Sequence, residues 1–189
     1  MPRLFFALPL PAHVRSEIHG LVTPLLPETL VRPVPAANLH ITMAFLGQVD
    51  DEALARATAL ARAFTTPGTE ADTLTISGAG AFPGPSKPRV IWLGIGDGGR
   101  ILGEIHACLR RELEKAALPY DPKPLRPHLT VGYARKNRIR AGTEDANTLK
   151  QALAALRREA ESWTWSFPLP AVRLYESRLL KTGAVYREL

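Results

Sequence analysis

The stretch NLHITMAFLG, Asn38 to Gly47, decides how this chain is read. It is mostly apolar and has the length of a buried strand. Alternate residues of a strand point to the same face. The spacing therefore predicts His40 and Thr42 together on one face, followed by Ala44, with Leu39, Ile41, Met43 and Phe45 on the other. Taken alone, a His-x-Thr pair in a strand is most simply a satisfied polar pair. The same pattern recurs in RPHLTVGYAR, residues 126–135. There His128 and Thr130 share a face with Gly132, and Leu129, Val131 and Tyr133 take the opposite one. In both stretches a small residue follows the polar pair, which is expected to leave room beside it.

The surroundings repeat as well. RLFFALPL reads as a strand, AHVRSEIHGLVTPLL behind Pro11 as a helix, and a loop with Pro24, Pro27, Pro33 and Pro35 leads to the first His-x-Thr. RVIWLGIG reads as a strand and RILGEIHACLRRELEKAAL as the clearest amphipathic helix. A loop with Pro119, Pro122, Pro124 and Pro127 then leads to the second His-x-Thr. Leu4 to His40 spans 36 positions and Val90 to His128 spans 38. Each motif is followed by a further helix: DEALARATALARAF, capped by Asp50 or Asp51, and TLKQALAALRREAE. DTLTISGAGAF and the closing segments, with a turn at Gly183, read as strands. The order predicts an α+β fold of two pseudo-symmetric lobes, each an antiparallel sheet with helices outside, around a central cleft. Residues 1–189 are expected to form one such two-lobed domain.

Bulk composition narrows the classes. The chain has 189 residues, 46% hydrophobic and 22% charged, the profile of a globular protein. Its one cysteine, Cys108, allows neither an internal disulfide nor a multi-cysteine metal site, which fits a cytoplasmic protein. The apolar start is short and broken by Pro9 and Pro11, unlike a signal peptide. No stretch is apolar enough to span a membrane. A net charge of +6 permits a polyanionic partner such as RNA. A monomer is the default expectation.

Two histidines and two hydroxyls facing one cleft suit in-line displacement at phosphorus. An imidazole titrates near neutrality, so one ring serves as base and the other as acid. Hydroxyls and ring N–H groups hold the phosphoryl oxygens as charge builds. No metal or other cofactor is needed. On these residues alone, the acid and base roles are interchangeable.

The paired motifs resemble those of the two-histidine (2H) phosphoesterases, in particular the RNA 2′,3′-cyclic phosphodiesterases once called 2′-5′ RNA ligases. RLFFALPLP, RVIWLGI and the closing LYESRLLKTGAVYREL are similar to the family's other strands. One departure is VRPVPAANLH, where Leu30 and Val31 stand before the Arg-Pro step in place of the family's frequent aromatic. The resemblance implies hydrolysis of a terminal 2′,3′-cyclic phosphate of RNA to a 2′-phosphate, with 2′-5′ RNA ligation as an accompanying activity. It implies His40 as proton donor to the leaving oxygen and His128 as proton acceptor from water. Thr42 and Thr130 would bind the phosphate. A cyclic phosphate on a small nucleotide, or a non-catalytic RNA-binding module, are the competing readings.

Other residues draw plainer expectations. Arg126 precedes His128 by two and is a candidate phosphate or RNA contact. Phe5 and Phe6 are expected in the core, as is Tyr133. His13, His19 and His106 lie on predicted helices without metal-ligand spacing. Arg110, Arg111, Arg157 and Arg158 are expected on solvated helix faces. Gly94 to Gly99, GIGDGG, fits a dinucleotide-binding fingerprint. The four prolines of the segment after the next helix are hostile to the parallel strand that such a site requires. The glycines are therefore read as a strand-to-helix turn.

Overall fold

A computed structural model describes residues 1–189 apart from 69–70, 136–138, 140–141 and 181–182. Lys181 and Thr182 of the closing family-like stretch thus lie outside the described residues. The strands are β1 (Arg3–Pro9), β2 (Val31–Pro33), β3 (His40–Gln48), β4 (Thr73–Phe82), β5 (Val90–Ile95), β6 (His128–Ala134), β7 (Trp165–Pro168), β8 (Arg173–Leu180) and β9 (Gly183–Glu188). The helices are α1 (Ala12–Val22), α2 (Asp51–Ala63), α3 (Gly99–Lys115) and α4 (Glu144–Ala160). Among the described residues, no helix is long and apolar enough to cross a membrane.

The strands form a single sheet in the order β7-β4-β5-β6-β3-β1-β8-β9, with β2 added along β6. Every pairing is antiparallel. Each side of the β3–β6 seam holds four strands, and the lobes exchange chain segments. β4 joins β5–β6 from the middle of the chain, and β8–β9 return from its end to join β1–β3. The all-antiparallel sheet leaves no parallel unit for a dinucleotide fold. Gly98 sits at φ 98° as the cap of α3, so the glycines make the turn expected of them.

The helices form where sequence and capping agree. Asp50 caps α2 by accepting the Ala53 N–H at 2.8 Å. Asp51 and Glu52 in the first turn and Arg62 in the last complement the helix dipole. α4 begins at Glu144, four residues before the predicted Thr148, because the Thr143 hydroxyl accepts from Ala146 N–H. α3 buries Ile101, Leu102, Ile105, Leu109 and Leu113 against the sheet. Truncating Leu109 to alanine should cost about 2–5 kcal/mol.

β2 was not evident in its proline-bearing segment. Pro33 is tolerated there because the strand is short and lies along the outer part of β6. Leu30 and Val31 are buried in the core.

Register refines the repeat. Phe5 pairs with Phe45, and Val90 pairs with Tyr133, so the copies align Phe5 with Val90 rather than Leu4 with Val90. Both copies carry a bulge at the same point. On β3 the partner of β1 jumps from Ala44 to Thr42, leaving Met43 unmatched. On β6 the partner of β5 jumps from Gly132 to Thr130, leaving Val131 unmatched. An extra residue inverts the alternation beyond it. This corrects the predicted faces. Ala44 and Gly132 are buried, and Phe45 and Tyr133 come out on the opposite side from Ile41 and Leu129, 53% and 37% exposed. Gly132 is small to spare the core, since a Cβ there would lie 2.9 Å from Val31 Cγ1 and 3.2 Å from Leu26 Cδ1.

Candidate active site

The two motifs meet at the seam. Ile41 of β3 pairs with Leu129 of β6 in antiparallel register, and both are fully buried. Their neighbours His40, Thr42, His128 and Thr130 therefore emerge on the other face of the sheet, all half-buried. In this register His40 lies opposite Thr130, and Thr42 opposite His128. The two histidines occupy a diagonal of this pairing, close enough for the charge of His128 to act on His40.

Each imidazole is aimed in the same way. His40 Nδ1 lies 2.6 Å from the Asn38 carbonyl oxygen, and His128 Nδ1 lies 2.6 Å from that of Arg126. A carbonyl only accepts, so Nδ1 carries the proton in both rings and Nε2 becomes the working nitrogen. His40 Nε2 is 3.0 Å from the Thr42 hydroxyl. The Asn38 amide donates to the Ala184 carbonyl at 2.7 Å, tying this turn to β9. Phe5 stands 4.9 Å from the His40 ring, and Tyr186 lies edge-on to it at 5.2 Å. Phe82 lies edge-on to His128 at 5.0 Å. Phe5 and Phe6 are both buried as expected, Phe5 with its ring against His40.

Burial pushes His40 below its ordinary value near 6.5, the Asn38 carbonyl works against this, and the charge of His128 pushes it lower still. On the same side, burial raises the Tyr133 phenol against the opposing pull of the Arg32 charge and the Thr130 hydroxyl. Arg32 lies over the Tyr133 ring at 5.5 Å. Tyr133 is thus a cleft-side residue and not the core residue its parity predicts.

On the other side of the seam, Thr42 and His128 border an open cavity of about 370 Å³. Phe45, Phe82, Lys123 and Arg126 also line it. Arg126 precedes the strand, since β6 begins at His128, so parity does not place its side chain. Its carbonyl holds His128, and its guanidinium is exposed beside the cavity. Lys123 is paired with Asp121 at 2.8 Å. The main chain of this loop is pinned where Asp121 N–H donates to the Phe45 carbonyl at 2.9 Å.

Sequence reasoning missed two residues here. His106 of α3 lines the cavity. Arg110, one turn on, is not simply solvated. It donates to the Tyr120 hydroxyl from Nε and Nη2 at 3.2 and 3.0 Å, while that hydroxyl donates to Glu114. The shared i, i+4 spacing of His106, Arg110 and Glu114 was the available signal. Among the described residues, no three His, Cys, Asp or Glu side chains group as metal ligands.

Chemically, two imidazoles and two hydroxyls on one face can give and take protons across a bound phosphate. The model of the 2′-5′ RNA ligase superfamily matches residues 10–177. An RNA 2′,3′-cyclic phosphodiesterase of Escherichia coli (strain K12) is 32% identical over 188 residues, covering 99% of this chain and 93% of that protein. One from Archaeoglobus fulgidus is 30% identical over 187 residues, covering 99% and 97%. The crystal structure of E. coli LigT complexed with 3′-AMP superposes with a TM-score of 0.72 at 29% identity, covering 100% of this chain and 96% of that one. The chain belongs to the 2′-5′ RNA ligase superfamily.

Proposed function

We propose that this protein is an RNA 2′,3′-cyclic phosphodiesterase, opening a terminal 2′,3′-cyclic phosphate to a 2′-phosphate and a free 3′-hydroxyl. The observation that carries the reading is the seam itself. Two half-buried imidazoles, each with its Nδ1 anchored on the carbonyl two residues before it, stand on the same face of the sheet beside the single β3–β6 pair. His128 takes a proton from water as it attacks phosphorus, and His40 gives one to the departing 3′-oxygen. Thr42 and Thr130 hold the non-bridging oxygens, and Arg126 contacts the phosphate or the RNA strand. The exposed ring of Phe45 offers a face for a base.

No metal takes part in this scheme, and a 5′-hydroxyl in place of water would give 2′-5′ ligation. The lowered pKa of His40 in the free protein alone favours a base. A bound phosphodiester anion acts in the opposite direction, because a negative charge beside the imidazole favours its protonated form. The reading includes a monomer at work in the cytoplasm, in keeping with the single cysteine and the net charge of +6.

An oligoribonucleotide ending in a 2′,3′-cyclic phosphate tests it. The product should carry a 2′-phosphate by ³¹P NMR, at a rate unchanged by EDTA. A 3′-phosphate product, or loss of activity on chelation with recovery on adding one divalent ion, would overturn the scheme.

A further inference from the structure

We infer that His106 is a specificity-determining residue that hydrogen-bonds the edge of the substrate's terminal nucleobase. The inference rests on the proposed function and extends it to a residue outside both motifs. The cavity beside His128 is about 370 Å³, the scale of one nucleotide, and Phe45 and Phe82 give it aromatic walls. With the phosphate held at the seam, the planar base is the part of the substrate suited to those walls.

The polar groups that line the cavity are mostly committed. Thr42 is bonded to His40, Asp121 and Lys123 pair with each other, and His128 serves the reaction. Arg126 is a permanent cation suited to phosphate. His106 reaches the cavity from α3, and neither of its ring nitrogens has a hydrogen-bond partner among the described residues. Burial, and then the charge of Arg110, hold the imidazole below its ordinary pKa. The neutral ring, which this favours at pH 7, has one donor and one acceptor nitrogen. That pair matches the alternating donors and acceptors of a base edge and offers little to an anion.

The ring is also held in register with the loop that carries Lys123 and Arg126. Arg110 and Glu114 follow His106 on the same ridge of α3 and grip Tyr120 of that loop. A site built to hydrogen-bond a substrate group discriminates against ligands that leave it unpaired.

The test is kcat and KM for four oligoribonucleotides that differ only in the base of the 2′,3′-cyclic phosphate terminus. They are measured with the wild type, His106→Ala and His106→Gln. For the wild type's preferred base, His106→Ala should raise KM about 2- to 10-fold, the worth of one neutral hydrogen bond. The preference among bases should flatten, kcat should change little, and His106→Gln should recover part of the loss. Unchanged KM for all four ends would overturn the role of His106, as would an equal loss on all four or a loss confined to kcat. If the wild type hydrolyses none of the four, the proposed function itself fails, and the two failures are distinguishable.

Discussion

At the scale of the residue, His40 carries a tension that the fold makes visible. It is buried against Phe5 and Tyr186, which opposes its charged form, yet the proposed chemistry requires that form when substrate is bound. Replacing either His40 or His128 by alanine should lower kcat about 10²-fold or more, the usual worth of general acid or base catalysis. Thr42→Val or Thr130→Val should cost less, since each removes one hydrogen bond to an oxygen with other partners. Circular dichroism should show all four variants folded; a folded His128→Ala variant with near wild-type turnover would remove the base from the scheme.

Burial of His40 has a second consequence. The folded state binds the proton less readily than the unfolded chain, whose pKa is about 6.5. Between the two pKa values the unfolded chain holds more protons, so stability is complete above about pH 6.5 and falls as pH drops through that window. His106 acts with the same sign. Thermal melts at pH 7.5 and 5.5 should show a smaller drop in Tm for His40→Gln than for the wild type. An equal drop in both would mean that the His40 imidazole is not held neutral by the fold.

At the scale of the element, the bulges decide what faces the cleft. Strict alternation was legible through His40-Ile41-Thr42 and His128-Leu129-Thr130, and those faces are as expected. It failed two residues later, at Ala44 and Gly132, because strand parity has no term for an unmatched residue. Met43 and Val131 are those residues, and Phe45 and Tyr133 change sides as a result. β2 was hidden by its proline, and the placement of Arg126 by a strand that starts two residues later. His106 shared a helix ridge with Arg110 and Glu114, but that it borders a cavity formed with the loop of Asp121 to Arg126 depends on a packing the spacing does not show. Gly132→Val tests this packing. The added side chain would press on Val31 and Leu26, and overpacking of this kind costs about 1–3 kcal/mol. Urea denaturation should show that loss with an unchanged m-value. A variant as stable as the wild type would mean that β2 and β6 are not closely apposed at this point.

At the scale of the molecule, the two lobes supply one histidine each to the proposed site, and the pair of Ile41 with Leu129 is what joins β3 to β6 there. The net charge of +6 bears on how an RNA end is held there. Binding of uncleaved substrate by His128→Ala should weaken linearly in log–log terms with salt, by a slope of about 0.7 per phosphate contacted. Fluorescence anisotropy across a salt series measures this; a salt-independent affinity would contradict an electrostatic hold.

The division of labour between the histidines is tested most directly with a leaving group that needs no proton. A terminal 2′,3′-cyclic phosphate whose 3′-oxygen is replaced by sulfur departs as a thiolate. On that substrate His40→Ala should regain most of the rate it loses on the oxygen substrate, because the missing acid no longer matters. His128→Ala should remain impaired, because water still needs its base. Rescue of His128→Ala and not of His40→Ala, or of neither variant, would contradict the account.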